Sequence, residues 1–329
     1  LRITTMALTK ILLGLALAGG AGAAMAQPAV VYDMGGKFDK SFNQAGFDGA
    51  ERWKKETGKT YLEFEISNAA QREQAQRRMA ERGANPIVGI GFAQGSSLEK
   101  VAKEFPKVQF AIIDSVINLP NVESIVFKEQ EGSFLVGMMA AMASKTGKVG
   151  FVGGMDIPLI RRFQCGFEQG AKYANPKAEV SANMTGTTPT AWNDPAKGAE
   201  LAKSQFAKGV DVIFAAAGGT GVGVYQAAKD AGKLAIGVDS NQNHLHPGTM
   251  LTSMVKRVDV AVYNAFKGTK GGAVSNLGLK EGGVDYALDQ NNAKLVSDDM
   301  KKKVDAAKAD IIAGKIKVAD YMADNACKY

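Results

Sequence analysis

At 329 residues, 46% hydrophobic and 22% charged, the chain has the composition of globular material and the length for two domains. The formal charge of +7 falls to +5 without Arg2 and Lys10, because residues 1–26 hold no acid. Elsewhere Lys and Arg are scattered among acids and not collected in a block, so no nucleic-acid partner is expected.

Arg2 and Lys10 precede the apolar run ILLGLALAGGAGAAMA, residues 11–26, which ends in Ala24-Met25-Ala26. This reads as a signal peptide over 1–26, cleaved before Gln27, with Met6 an alternative start. A buried amino-terminal helix is the rival reading, but Gly19, Gly20 and Gly22 would propagate a helix poorly. No Cys lies at the junction, so an exported, periplasmic protein without a lipid anchor is expected. After Ala26 the apolar stretches are strand-length or interrupted by charge, too short to span a bilayer as helices.

From there β-rich runs alternate with amphipathic stretches, the pattern of an α/β chain with parallel sheets and crossover helices. Strands are predicted over 29–34, 61–66, 86–92, 108–115 and 124–128, and a second series over 148–153, 180–184, 210–217, 234–239 and 251–256. Helices are predicted over 41–55, 69–82 and 129–144, the last with Phe134, Leu135, Met138, Met139 and Met142 at helical spacing, which reads as a core face. Two such series suggest two similar doubly wound, Rossmann-like lobes. No Pro-rich or Ser-rich linker separates them, which leaves room for more than one passage between lobes.

In such sheets the loops at the carboxyl ends of the strands converge on a ligand crevice. Polar, aromatic and glycine residues crowd those positions: Asp33 through Asn43, Gly91 through Ser96, Asp114-Ser115, Gly153 through Asp156, Trp192-Asn193-Asp194, Gly218 through Gly221, Asp239 through Gln242 and Lys256-Arg257.

Several of these stretches carry a resemblance. VVYDMGGKFDKSFNQAGFDGA resembles the opening of the basic membrane protein family of ABC-importer substrate-binding proteins, whose best-known members capture purine nucleosides. GFAQGSSLEKVAKEFPKVQFAIID, FKEQEGSFLVGMMAA, GFVGGMDIPLIRRFQCGFEQGAKYANP, DVIFAAAGGTGVGVYQAA, AIGVDSNQ and LTSMVKRVD look like its later blocks in the same order. The resemblance implies a type I periplasmic-binding-protein fold, with two lobes joined by a three-crossover hinge. It places 27–125 and 257–290 in the first lobe and 126–256 and 291–329 in the second. It implies a monomer that presents a small-molecule ligand, a purine nucleoside or base, to the membrane permease of an ABC importer.

Carried over by position, Phe42 is the ring-stacking residue of the first lobe and Trp192 the opposing aromatic, where family members commonly show Phe. Asn43 offers a donor and an acceptor to a purine edge. Asp114 and Asp239 fall where members accept ribose hydroxyls, with Lys256 and the backbone at Gly219 assisting. Asp33 is either a ligand contact or a cap for the helix starting near Ser41, and Phe42 could equally staple that helix to the core. Asn241 is a departure, since many members have Asp in the block GVDSNQ.

Other chemistries fit less well. Gly218-Gly219-Thr220-Gly221-Val222-Gly223 fails the dinucleotide fingerprint, because Val224 stands where a final Gly or Ala belongs, and no Gly-Lys-Ser or Gly-Lys-Thr follows for a P-loop. His244 and His246 in NQNHLHPGT have no third ligand at metal-binding spacing, so neither a metal nor a cofactor is expected. A nucleophile elbow is lacking too, and an enzyme is not expected. Repressors of the lac type share this body, but a leader stands where their DNA-binding head would be. A chemosensor partner, a free purine such as adenine, and a sugar or other metabolite as ligand remain alternatives. Cys165 and Cys327 either pair in an oxidising compartment, stapling the tail to the helix that carries Cys165, or stay two unrelated thiols.

Overall fold

The computed structural model describes residues 26–327, so the leader expected over 1–26 lies, but for Ala26, outside the described residues. The first lobe begins β1 (Ala29–Tyr32), α1 (Phe42–Thr57), β2 (Leu62–Glu65), α2 (Gln71–Glu81), β3 (Ile87–Ile90), α3 (Gly95–Glu104), β4 (Phe110–Ile113), β5 (Val122–Phe127). The second continues α4 (Glu129–Ala143), β6 (Lys148–Met155), α5 (Pro158–Ala174), β7 (Glu179–Gly186), α6 (Pro195–Ala207), β8 (Val212–Ala216), α7 (Gly221–Asp230), β9 (Leu234–Asp239), β10 (Met250–Lys256). The chain then returns to the first lobe for α8 (Val258–Lys267) and β11 (Val274–Leu277), and ends in the second with β12 (Val284–Tyr286), α9 (Asp298–Ile312) and α10 (Tyr321–Asp324).

Among the described residues two six-stranded sheets result, in the orders β11-β5-β4-β3-β1-β2 and β12-β10-β9-β8-β6-β7. All pairings are parallel except β10 with β12. Strands inside the sheets are buried on both faces and read as continuous apolar runs, such as FAII in β4 and VIFAA in β8. At the edges, LEFE of β2 and VSNL of β11 alternate instead.

In the first lobe α1 and α8 cover one sheet face and α2 and α3 the other; in the second, α4, α5 and α9 oppose α6 and α7. The apolar layer under α1 and α8 is continuous with that under α4 and α5, while the outer layers form two separate cores. Phe134, Leu135, Met138 and Met139 are buried in the shared layer, with Met142 packed against it. Glycine lets α4 and α5 approach closely: a Cβ on Gly137 would lie 2.1 Å from the Phe167 carbonyl oxygen, and one on Gly170 would lie 1.9 Å from that of Phe134.

Passage between lobes occurs three times, at β5 to α4, β10 to α8 and β11 to β12. Two details differ from the expected ranges. β5 carries the first lobe to Phe127, and β12, inside the 257–290 range expected there, pairs with β10 through Lys256↔Val284. The third passage is the short turn after Leu277, and a three-residue edge strand leaves little pattern to mark it. Predicted strands 29–34 and 108–115 end earlier, at Tyr32 and Ile113, because their last residues turn into the cleft.

Candidate functional site

The carboxyl ends of both sheets face one cleft between the lobes. It encloses about 610 Å³ of atom-free space, part of it open to solvent. Its walls include Asp33, Phe42, Asn43 and Asp114 from the first lobe, and Trp192, Gly218, Asp239 and Lys256 from the second. Phe92, Leu159 and Phe163 add apolar surface.

Gly219 is not among the lining residues; Gly218 is, and Gly219 sits behind it near the Trp192 carbonyl. The Asn43 amide, expected to be free for a ligand, is engaged within the loop. Its Oδ1 accepts from the Asp33 N–H at 3.2 Å, and its Nδ2 donates to the carbonyls of Asp33 and Gly36 at 3.2 and 3.3 Å. Both donors are thereby used, and Asn43 shapes the loop that borders the cleft.

The helix-cap role considered for Asp33 belongs to Asp39. Its carboxylate accepts from the N–H groups of Ser41, Asn43 and Gln44 at 2.8, 3.0 and 3.1 Å, which satisfies the exposed donors at the start of α1. Burial pushes the Asp39 carboxyl up to about 6, against those hydrogen bonds. Asp33 instead takes Nε and Nη2 of Arg72 on one oxygen at 3.0 and 2.8 Å.

Two aromatic rings border the cleft from opposite lobes. Phe42 opens α1 and is half-buried. Trp192 closes the turn Pro189–Trp192, and its ring lies over β6 where a Cβ on Gly154 would come within 2.1 Å of Cζ3. Only a residue without a side chain leaves room for that indole.

The charged floor is built around Lys256, whose side chain is 2% exposed. Its Nζ donates to Asp114 Oδ2 at 2.7 Å and lies 2.9 Å from Glu129 Oε1. The rings of Phe42, Phe127 and Phe163 surround the ammonium with centroids at 5.1, 5.0 and 5.6 Å, a cation–π cage. Burial opposes the charge, but Asp114, Glu129 and Asp239 outweigh it and hold the ammonium above its ordinary range.

Burial likewise raises the Asp114 carboxyl to about 6; Lys256 works against the shift, and Glu129 and Asp239 add to it. Asp114 Oδ1 is buried with no hydrogen-bond partner among the described residues. Asp239 is also raised to about 6 by burial, opposed by Lys256 and Ser41 and reinforced by Asp39 and Glu129. Both aspartates directly follow or end an apolar strand in the left-handed region, at φ 67° and 63°, a strained backbone for a residue with a side chain.

The lobes touch above this floor. Ser41 Oγ donates to Asp239 Oδ2 at 2.5 Å, Ser240 Oγ to the Ser41 carbonyl at 2.9 Å, and Gln242 Nε2 to the Lys40 carbonyl at 2.8 Å. Asn241 points elsewhere, to Asp289 at 2.7 Å. Cys165 and Cys327 are bridged, with Cα atoms 5.2 Å apart. Sequence reasoning missed Asp39 and Glu129. Glu129 stands in the first turn of α4, where an acid ordinarily reads as a solvated helix start, and its burial and its ion pairs with Lys256 and Arg162 distinguish it.

Among known proteins, a family model described as ABC transporter substrate-binding protein PnrA-like, Bmp, matches residues 26–321. The ABC transporter nucleoside-binding protein BmpA of Lactococcus lactis is 35% identical, over 88% of this chain and 88% of its own. The CD4+ T-cell-stimulating antigen of Listeria innocua is 37% identical, over 89% and 87%. Among solved structures, an ABC transporter system solute-binding protein of Aeropyrum pernix superposes with a TM-score of 0.81 at 32% identity, covering 90% of this chain and 93% of its own.

Proposed function

The chain belongs to the Bmp family of PnrA-like ABC transporter substrate-binding proteins, and from that premise we propose that it captures a purine nucleoside, or a free purine base, between its lobes and delivers it to an importer. The observation that carries this reading is Asp114: one carboxylate oxygen is held by Lys256, and the other is buried beside an aromatic cleft without a partner among the described residues. A buried acceptor left unpaired costs about 1–3 kcal/mol, which a ligand hydroxyl would recover. Asp239 supplies a second carboxylate from the opposite lobe, and ribose carries vicinal hydroxyls suited to two such acceptors. A flat ring against Phe42 and Trp192 gains about 1 kcal/mol per stacked contact beyond its burial. The name of the Lactococcus relative supports the nucleoside class.

In this reading the protein does no chemistry. A ligand that touches Asp114 and Phe42 on one lobe and Asp239 and Trp192 on the other favours the closed arrangement by its differential affinity for it, and the closed form is the one the permease recognises. Export with cleavage before Gln27 and action as a monomer complete the proposal.

The test is thermal unfolding of the chain from Gln27 onward, stripped of co-purified ligand, against adenosine, guanosine, inosine, adenine, hypoxanthine and ribose. A ligand at ~100 times its dissociation constant adds about 2.7 kcal/mol of stability. A shift with nucleosides alone fits the hydroxyl-accepting pair; a shift with bases alone discards that pair; no shift with any of the six removes purines as the cargo.

A further inference from the structure

One face of α5 carries Arg162, Cys165 and Gln169, and all three hold the segment 319–327. Arg162 Nε and Nη2 grip the two carboxylate oxygens of Asp320 at 2.8 Å each. Gln169 donates to the Ala319 carbonyl at 2.9 Å and accepts from the Ala319 N–H at 2.8 Å. Cys165 closes the set through Cys327.

The third guanidinium nitrogen of Arg162 turns inward. Nη1 donates to the Phe127 carbonyl at 2.9 Å and to Glu129 Oε2 at 3.0 Å, both at the first passage between lobes. Glu129 is fully buried, and its other oxygen faces Lys256. An alternating series of charges, Asp320, Arg162, Glu129, Lys256 and Asp114, therefore runs from a partly exposed segment to the cleft. Neither Asp320, Arg162 nor Glu129 lines the cleft itself.

Each oxygen of Glu129 faces its own cation: Oε2 accepts from Arg162 Nη1, and Oε1 lies 2.9 Å from the Lys256 ammonium as an ion pair without a hydrogen bond. Without Arg162 one of them would stand buried and unpaired, and the ammonium of Lys256 would move to serve both, away from Asp114. Arg162 is fixed in turn because its planar fork is filled by Asp320 on one edge and by Glu129 and the Phe127 carbonyl on the other.

We propose that Arg162 is a positioning residue for ligand capture: clamped by Asp320 of the 319–327 segment, it holds Glu129 so that the Lys256 ammonium stays on Asp114, and affinity in the cleft depends on a segment outside it. This rests on the cleft being the ligand site. Asp114 is faced by Lys256 from β10, Glu129 from α4 and Asp239 from β9, with Asp39 beyond Asp239 and Arg162 beyond Glu129. Loss of Arg162 thus removes a cation from a cluster rich in carboxylates.

The experiment has two arms on the full chain with Arg162→Met, Arg162→Lys and Asp320→Asn. In the first, inosine and adenosine are titrated calorimetrically from pH 5 to 8.5. The wild type is expected to lose affinity as the pH falls through about 6, the range to which burial raises the carboxyls of both Asp114 and Asp239. Arg162→Met weakens binding about 10- to 100-fold and Asp320→Asn about 3- to 10-fold, with Arg162→Lys recovering part of the loss. The acid limb moves to higher pH in Arg162→Met, which a variant that is only less stable does not do.

The second arm needs no ligand: the Asp114 carboxyl is titrated by carbon NMR, assigned with Asp114→Asn, and its midpoint rises in Arg162→Met and Asp320→Asn. An unchanged midpoint overturns the positioning role. If the wild type binds neither nucleoside, the nucleoside reading falls and the NMR arm alone decides the role of Arg162.

Discussion

Asp114 and Asp239 stand at equivalent places in the two lobes, at the ends of β4 and β9, each the third strand of its sheet. Both adopt left-handed backbone, and burial raises both carboxyls to about 6. Their partners come from the opposite lobes: Lys256 at the end of β10 holds Asp114, and Ser41 before α1 holds Asp239. The two links differ in kind. Lys256 lies on a passage between lobes, inside a caged charge cluster, whereas Ser41 offers one hydroxyl from a loop. A fold that repeats its scaffold has placed one carboxylate per lobe by the same rule and then assigned them unequal tasks. One is anchored by an ammonium with its other oxygen buried and unpaired, and the other is tied by a single hydroxyl.

Substitutions at four residues break or sharpen this contrast. Lys256→Met strands Asp114 and Glu129 in the interior and should lower stability by about 3–5 kcal/mol in urea unfolding at pH 7.5. A loss below about 1 kcal/mol would mean the anchored link is not an ion pair. Next, Asp114→Ala should weaken inosine binding about 100-fold and Asp239→Ala about tenfold, with hypoxanthine less affected by the latter. Equal losses for the two aspartates in calorimetric titration would erase the proposed asymmetry, and equal losses for base and nucleoside would refute the ribose role.

The third prediction concerns pH. Asp239 binds its proton more tightly when folded, at about 6 against an ordinary 3.8, so its ionised form subtracts stability above about pH 6 and the effect is absent below 3.8. Asp239→Asn should therefore stabilise the unliganded protein by on the order of 2 kcal/mol at pH 7.5, and by nothing measurable at pH 3.5, in denaturant titrations. Asp114→Asn should gain less, because it also removes a partner of Lys256; the same gain in both would show that Lys256 does not depend on Asp114. The smallest effect belongs to Ser41→Ala, which should cost about 1 kcal/mol of ligand affinity through the lost bond to Asp239. An unchanged dissociation constant would remove that bond from the closure of the cleft.

Much of this was legible in the residues. Central strands such as FAII and VIFAA announce themselves because a parallel sheet covered on both faces demands continuous apolar runs. Asp114 and Asp239 were visible as carboxylates at the ends of such runs, where α/β sheets place their crevices. β11 and β12 were not, because short edge strands with alternating or polar residues carry little signal. Nor was the division of labour between Asp33 and Asp39, two acids six positions apart ahead of one helix: which one reaches the free N–H groups of α1 depends on how the glycine turn between them folds, and Arg72 captures the other.

By itself, then, the sequence determined the alternation of strands and helices, the family, and several of the side chains on the cleft walls, Phe42, Asp114, Trp192, Asp239 and Lys256 among them, since each follows from local pattern and from motifs in fixed order. Tertiary structure alone decided which of those side chains are spent and which are free. Asn43 exhausts its amide on its own loop, Asp114 keeps one oxygen unpaired, and Lys256 is held by a carboxylate 142 positions away and by Glu129, itself paired with Arg162. Hydrogen bonds and ion pairs act over a few ångströms in space and are indifferent to separation along the chain, so residues far apart in sequence settle their partners only once the chain has crossed between its lobes.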